Sequence, residues 1–252
     1  MTLPLRRPPA RLYRVHRSMS PLELTSWSYA TVATPTGEPN FGGRWDDPRP
    51  VPGQRFRTLS LSNDAIGALI EVFQDLRPDP AYRAIEAQLD TTDAADEHGP
   101  PAIALDDIVT RRLSVVRVDN SARFAPVTES PWLSYLRDAL ARELKVSGIE
   151  VLKIGYLLVG NTTLSQHVAG LVFSQFPDVA GVTAPSTMGT EFENFAVFER
   201  GSERGDLRAE LRGVSTTQLN ADMPEVIVAL EQLGLRLDVA RASIRFGEVS
   251  GR

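Results

Sequence analysis

The chain has 252 residues, of which 42% are hydrophobic and 23% are charged, so it can bury a core and is not expected to be disordered as a whole. Its formal net charge of -5 argues against a nucleic-acid binder, because such proteins need clustered Lys and Arg to displace counterions. It contains no cysteine, which removes disulfides and thiolate chemistry and fits a reducing compartment.

The N-terminal residues 1–11 are predicted to form a flexible arm. No apolar run follows Arg6 and Arg7, so this segment does not have the pattern of a signal peptide. No window approaches the ~18 consecutive apolar residues of a membrane span. We therefore expect a cytoplasmic protein that does not bind a membrane.

The first half of the chain predicts two strands and one helix around a long irregular stretch. Alternation of apolar and polar residues predicts strands over 12–16 and 57–62. Residues 17–54 lack periodicity and are rich in Pro, Gly, Ser and Thr, which is typical of functional or mobile segments. Asn63 or Asp64 can cap a helix that follows. This helix is predicted to end before Pro78, because the residue before a proline avoids the helical conformation.

The second half predicts strands and helices in no regular alternation. Residues 79–108 are interpreted as an insertion or surface loop because they include an acidic piece rich in Ala and Pro. Residues 201–252 are interpreted as a C-terminal extension packed on the same domain. The irregular order favours an α+β fold, with a mixed sheet and flanking helices, over a doubly wound sheet. Strands are predicted at 113–118, 151–159, 179–184, 195–198 and 237–246, and helices from Ser130-Pro131 through Leu144, over 164–176 and over 223–233.

Common catalytic and metal motifs are missing from the sequence. There is no phosphate-binding glycine loop and no Gly-x-Ser-x-Gly nucleophile elbow. The three histidines, His16, His98 and His167, are far apart and do not have metal-ligand spacing, so no metal site is predicted.

The segment Phe41-Gly42-Gly43-Arg44-Trp45 is the first candidate for a ligand site. Glycines let a backbone turn sharply or approach a ligand, and the Arg44 guanidinium offers a rigid fork of donors suited to phosphate oxygens. The alternative is a surface turn with a solvated Arg44 and with Trp45 packed on the core.

Glu71 and Ser186 are the other two candidates. Glu71 lies off the apolar stripe of its predicted helix, and Gly67, one turn earlier, leaves a shallow space that Glu71 could face. Ser186 follows a predicted strand, on a loop held by Pro185, and Asn194 opens the next strand. The alternatives are a solvated helix-surface Glu71 and a turn in which Ser186 and Asn194 bind their own backbone.

Five segments in this order resemble the RES-domain family, which is named for its Arg, Glu and Ser. They are LYRVHR, FGGRWDDP, TLSLSNDAIGALIEVF, FPDVAGVTAPS and ENFAVF, and the resemblance covers residues 12–200. Its most specific part is GGRW followed by a strand and a helix that ends in ALIEVF. By position, Arg44, Glu71 and Ser186 match the family's Arg, Glu and Ser.

The resemblance implies an ADP-ribosyltransferase-like fold and the toxin of a bacterial toxin–antitoxin pair. Such toxins break the nicotinamide–ribose bond of NAD, as glycohydrolases or as phosphorylases that pass ADP-ribose to phosphate. NAD is then a substrate and not a cofactor, and a cognate antitoxin is the expected partner. The same expectation assigns ligand contacts to Arg14, Gly43, Trp45, Ser60 and Asn194.

The sequence departs from the family at one position. A Tyr usual in the strand before the glutamate helix is replaced by Ser60, and Tyr13 or Trp45 would have to substitute for it in space. Two other functions stay open: ADP-ribosyl transfer to a target protein, and a catalytically silent nucleotide-binding or interaction module.

Overall fold

The structure is a computed structural model that describes residues 3–33, 39–49, 55–76, 102–159, 162–200 and 211–238. Its strands are β1 (Arg11–His16), β2 (Thr58–Ser62), β3 (Ala102–Ala104), β4 (Arg112–Val118), β5 (Phe124–Pro126), β6 (Gly181–Ser186), β7 (Gly189–Phe198), β8 (Leu211–Gln218) and β9 (Arg236–Asp238). Its α-helices are α1 (Ala65–Phe73), α2 (Leu105–Val109), α3 (Ser130–Ala139), α4 (Ala141–Val146), α5 (Ile154–Leu158), α6 (Thr162–Gln175) and α7 (Pro224–Leu233). Short 3-10 helices span Trp27–Tyr29 and Gln74–Leu76.

Seven strands form one mixed sheet in the order β5-β6-β7-β2-β1-β4-β8. The β5–β6 pair is parallel and the other neighbouring pairs are antiparallel. A second, two-stranded sheet pairs β3 with β9 in parallel. The fold is therefore a mixed sheet with flanking helices, as the irregular order of predicted elements indicated. Within the described ranges, no helix is both long and apolar enough to cross a membrane.

The sheet separates apolar clusters on its two faces. One cluster lies among α3, α6 and the β6–β7 end of the sheet, a second joins α1 with α7, and a third covers β1, β2 and β4. Representative members, cluster by cluster, are Trp132, Val168 and Phe198, then Leu69, Phe73 and Val226, then Leu12, Leu59 and Val116.

Strand β2 and helix α1 form as their sequences predict. Leu59 and Leu61 alternate into the third cluster, which leaves the hydroxyl side chains of β2 on the opposite face. The Asp64 carboxylate caps α1 by accepting from the Ile66 amide at 2.7 Å. The predicted strands at β1, β4, β6 and β7 and the helices α6 and α7 are likewise present, with ends shifted by a few residues.

The predicted strand at 151–159 is wrong. Residues Ile154–Leu158 form helix α5, and Val151 and Val159 are 56% and 69% exposed. Only Leu152 and Leu157 of this apolar run are buried, so its hydrophobicity does not reflect a buried strand. The helix predicted from Ser130 is also divided, because Leu140 adopts φ -108° and ψ 22° between α3 and α4.

The arm and the loop differ from their predictions where the structure describes them. The Arg6 backbone pairs with Phe124, and the Trp132 indole donates to the Pro4 carbonyl at 2.7 Å, so residues 4–6 are docked. Residues 102–108 form β3 and much of α2, with Ile103 and Ile108 buried, and are not a surface loop. The rest of the predicted insertion, residues 79–101, lies outside the described residues.

The C-terminal part belongs to the same core. Strand β8, which the sequence did not predict, pairs with β4 at the sheet edge, and α7 packs on α1. The predicted closing strand is present as β9 over Arg236–Asp238, and residues 239–246 lie outside the described residues.

Candidate functional site

A cavity of about 540 Å³ lies over the hydroxyl-bearing face of β2. Its walls come from α1, the irregular segment 41–46, the β6–β7 turn and the end of α5. This volume is within the range of small-molecule sites. All the predicted site residues except Ser186 line it: Arg14, Gly43, Arg44, Trp45, Ser60, Glu71 and Asn194.

Ser186 reaches the same site through Glu71. Its hydroxyl donates to Glu71 Oε1 at 2.6 Å, and Gln74 Nε2 donates to Glu71 Oε2 at 3.1 Å. Thr187 in turn donates its hydroxyl proton to Gln74 Oε1 at 3.2 Å. Both oxygens of the Glu71 carboxylate are thus oriented, one by Gln74, which directly follows α1, and the other by Ser186 at the end of β6.

The reason that Glu71 faces open space is not the one that the sequence suggested. A Cβ atom on Gly67 would lie 2.6 Å from Ser62 Oγ and 3.0 Å from the Phe192 ring. Gly67 is therefore needed because α1 approaches β2 closely, and the space beside it is filled. The cavity in front of Glu71 is bounded instead by Pro185 and Thr187 and by the segment 41–46.

Arg44 is held at the C-terminal end of α5. Its Nη1 donates to the carbonyl of Leu157 at 3.1 Å and to that of Leu158, which are among the helix carbonyls without an intrahelical partner. Burial lowers the pKa of Arg44, and the Glu71 carboxylate acts in the opposite direction. The two charges are therefore within electrostatic reach of each other across the cavity.

Asp46 is a cavity residue that the sequence analysis missed. Its Oδ2 accepts from the Gly43 amide at 2.7 Å and its Oδ1 accepts from the Thr58 hydroxyl at 2.7 Å. Burial raises the pKa of Asp46, and these two hydrogen bonds oppose that rise. Gln166 fixes the same turn by donating to the Gly43 carbonyl at 2.9 Å. In the sequence, Asp46 is marked only as one of two adjacent aspartates that follow GGRW, and the other is Asp47.

The Gly43 position shows why a glycine is required in this turn. A Cβ atom there would lie 2.4 Å from Asp46 Oδ2. Any side chain at Gly43 would therefore break the hydrogen bond between its amide and Asp46, and would displace the adjoining Arg44.

Arg14 lines the cavity but also anchors the segment after β1. Its Nη1 donates to the carbonyls of Pro21 at 2.5 Å and Glu23 at 3.0 Å. Burial lowers the pKa of Arg14 to about 10, against the opposing effect of Glu23. Below that pH, Arg14 contributes a positive charge to the cavity wall.

The floor of the cavity is a row of side chains that crosses four strands. Strand register places Tyr13 opposite Ser62, Ser62 opposite Asn194, and Asn194 opposite Ala184. Asn194 lies in the middle of β7 and not at its start. Ser60, two residues before Ser62, is exposed on the same face.

Two aromatic side chains also border this floor. Tyr13 lines the cavity beside Ser62, and Trp45 lines it from the segment 41–46 while packing against the first apolar cluster. Both rings therefore line the same cavity as Ser60.

Comparison with known proteins gave no match to a protein-family model, to a curated protein or to a solved structure. Among the described residues, no group of three or more His, Asp or Glu side chains is arranged to hold a metal ion. Function is therefore inferred from the cavity and its side chains.

Proposed function

We propose that the protein cleaves NAD at the nicotinamide–ribose bond, as an enzyme of the RES kind with an ADP-ribosyltransferase-like fold. The observation that carries this proposal is the convergence of three residues far apart in the chain. Arg44 and Glu71 line one cavity, and Ser186 donates a 2.6 Å hydrogen bond to Glu71. These residues lie in three separate segments of the chain, and only the fold brings them together.

The arrangement suits the chemistry of this bond. Its cleavage develops positive charge on the ribose, in a transition state like that of glycoside hydrolysis. Nicotinamide leaves as a neutral molecule, so the protein needs positioning and charge stabilisation more than a proton donor. A carboxylate oriented on both oxygens, as Glu71 is, can stabilise that charge without reorganising.

Other cavity side chains are assigned to the remaining parts of NAD. Arg44 offers its guanidinium to the pyrophosphate, with Arg14 as a second cation in the cavity wall. Ser186 orients the Glu71 carboxylate through its hydrogen bond, which leaves Glu71 to bind a ribose hydroxyl. Tyr13 supplies an aromatic ring on the floor, in place of the family tyrosine that Ser60 replaces.

Three features of the proposal rest on the resemblance of the five sequence segments to the RES family. They are a role as the toxin of a bacterial toxin–antitoxin pair, a cognate antitoxin as partner, and a cytoplasmic site of action. The acceptor of ADP-ribose is water or phosphate in this proposal, and transfer to a target protein is the alternative.

Incubation of the purified full-length protein with NAD, with and without inorganic phosphate, tests the proposal. Chromatography is expected to show nicotinamide together with ADP-ribose, or with its phosphorylated form when phosphate is the acceptor. Intact NAD after prolonged incubation would contradict the proposal. Nicotinamide release that requires added protein, with ADP-ribose found on that protein by mass spectrometry, would instead identify a transferase.

A further inference from the structure

Two buried oxygen atoms at the cavity floor have no hydrogen-bond partner among the described residues. They are Ser62 Oγ and Asn194 Oδ1. Buried side-chain oxygens in native proteins are nearly always paired, since an unpaired one has lost its water without compensation. Two neighbouring unpaired oxygens therefore indicate a partner that is not part of the described residues, such as a bound ligand.

The two side chains are neighbours on the sheet. Ser62 and Asn194 are directly opposed in the antiparallel β2–β7 pair, and both line the cavity. Directly opposed residues have Cβ atoms about 4.5–5.5 Å apart, so both can contact one small planar group. Tyr13, on the other side of Ser62 in the same row, adds an aromatic ring beside them.

Helix α1 covers the Ser62 hydroxyl. Gly67 of α1 covers Ser62 so closely that a Cβ atom would lie 2.6 Å from its hydroxyl oxygen, and the Phe192 ring lies 3.0 Å from the same position. Ser62 is only 1% exposed. Rotation of Ser62 between staggered rotamers can turn its hydroxyl without moving the backbone. Ser62 therefore lies where α1 covers the cavity floor.

We infer that Ser62 and Asn194 form a subsite for a primary carboxamide attached to an aromatic ring, which selects nicotinamide over nicotinic acid. The inference rests on the proposed function and assigns the part of NAD that binds at this place on the cavity floor. The Ser62 hydroxyl donates to the amide oxygen, and Asn194 Oδ1 accepts from the amide N–H. The Tyr13 ring lies beside the pyridine ring.

The donor and acceptor pattern makes the subsite selective. Asn194 Oδ1 can only accept, so it is satisfied by an amide N–H and not by a carboxylate oxygen. A bound carboxylate would leave Asn194 Oδ1 unpaired and would place a negative charge beside it. Discrimination of at least about tenfold is expected, since an unpaired buried acceptor carries its full desolvation penalty.

Equilibrium binding of NAD and of its nicotinic acid analogue tests this inference. The full-length Glu71→Gln protein is used so that the dinucleotides are not consumed, and affinity is measured by titration calorimetry. NAD is expected to bind at least about tenfold more tightly than the acid form. The further substitution Asn194→Ala should lower this ratio by several-fold, whereas Ser62→Ala, which removes a hydroxyl that can donate to an amide or a carboxylate oxygen, should weaken the binding of both dinucleotides. Ser174→Ala, exposed on α6 and outside the cavity, is the matched control and should keep the ratio.

The outcomes separate this inference from the proposed function. If the wild-type protein cleaves NAD but the two dinucleotides bind equally well, or Asn194→Ala keeps the full ratio, the carboxamide subsite is wrong and the proposed function stands. If the wild-type protein neither binds nor cleaves NAD, both are wrong. Should Asn194→Ala fail to fold, Ser62→Ala decides, because it removes only an unpaired buried hydroxyl, and unchanged affinity for both dinucleotides would contradict the subsite.

Discussion

Single residues in this protein serve the cavity and the fold together. Arg44 is the clearest case, because its guanidinium binds two carbonyls of α5 while it lines the cavity with Glu71. A cation fixed in this way is preorganised for a phosphate, since little side-chain entropy is lost when the ligand binds. Its place at a helix C-terminus also stabilises α5.

Arg44→Lys tests whether the geometry of the guanidinium, and not only its charge, is required. Lysine keeps the charge but loses the planar fork of donors. We expect the KM for NAD to rise about tenfold with a smaller change in kcat, because a phosphate clamp contributes to ground-state binding. Steady-state kinetics of NAD consumption measures this. Arg142→Lys, exposed on α4, is the control, and equal kinetics for the two variants would rule out the clamp.

At the scale of elements, the position of the cavity depends on how closely α1 approaches β2. Gly67→Ala would place a methyl group 2.6 Å from Ser62 Oγ and 3.0 Å from Phe192. The clash is expected to cost about 1–3 kcal/mol of unfolding free energy, more than the gain of ~1 kcal/mol in helix propensity.

Gly155→Ala is the matched control for this substitution. Gly155 is also helical, but a Cβ atom there would meet nothing within 4 Å. It should therefore be neutral or stabilising by up to ~1 kcal/mol. Urea unfolding measures the unfolding free energy of both variants. Equal changes would show that the close approach of α1 to β2 does not make Gly67→Ala destabilising.

A chain of side-chain hydrogen bonds links three neighbouring strands and includes a titratable histidine. His16 Nε2 and Ser114 Oγ lie 2.7 Å apart, and Ser114 Oγ lies 2.7 Å from Thr216 Oγ1, which connects β1, β4 and β8. Burial lowers the pKa of His16 below 6.5, with a further contribution from the charge on Arg14 and an opposing one from the Ser18 carbonyl.

The sign of this pKa shift predicts acid destabilisation. As pH falls below about 6.5, the unfolded chain takes up the His16 proton before the folded protein does, so the unfolding free energy decreases. In His16→Gln this part of the pH dependence should disappear, after an initial loss of about 1 kcal/mol at neutral pH. Denaturant unfolding between pH 5 and 8 measures both, and a constant difference between the two proteins across that range would contradict the role of His16.

The sequence predicted elements where local physics dominates. The Asp64 cap, the alternation in β2 and the periodicity of α6 are properties of a few neighbouring residues, and each is present. The run 151–159 was misassigned because an apolar stretch has no period that separates a strand from a short helix lying half exposed. Strand β8 was missed because nearly all of its residues are exposed at a sheet edge, which leaves no buried alternation.

The candidate site was only partly accessible to sequence reasoning, for a different physical reason. Arg44, Glu71 and Ser186 were found through motif order, without knowledge of their contacts. Ser62 opposite Asn194 could not be found in that way, because cross-strand register is set by pairing between distant segments. The role of Asp46 likewise depends on the partners Gly43 and Thr58, and nothing in the sequence distinguishes it from Asp47.

At the scale of the whole molecule, the C-terminal part completes the core behind the cavity. Helix α7 buries Val226, Ala229 and Leu233 against the α1 cluster, and α1 carries Glu71 on its other side. Removing that support would therefore disturb the site as well as the fold. Residues 211–238 are in this sense part of the domain that holds the cavity.

Leu233→Ala tests this support. Leu233 is 1% exposed, so its truncation should cost about 2–5 kcal/mol of unfolding free energy. Ile227, on the same helix but 43% exposed, is the matched control, and Ile227→Ala should cost under about 1 kcal/mol. Thermal or urea unfolding measures both, and similar small losses would mean that α7 is not integrated into the core.

The central claim is that the Glu71 carboxylate makes this cavity an NAD-cleaving site, and the most direct measurement is NAD consumption by wild-type, Glu71→Gln and Glu150→Gln proteins. The amide oxygen introduced by Glu71→Gln can still accept a hydrogen bond from Ser186, so the fold should be kept while the charge is lost. We predict that Glu71→Gln lowers the rate about 10²-fold or more, with Glu150→Gln, exposed before α5, close to wild type. Full turnover by a folded Glu71→Gln protein would contradict the claim.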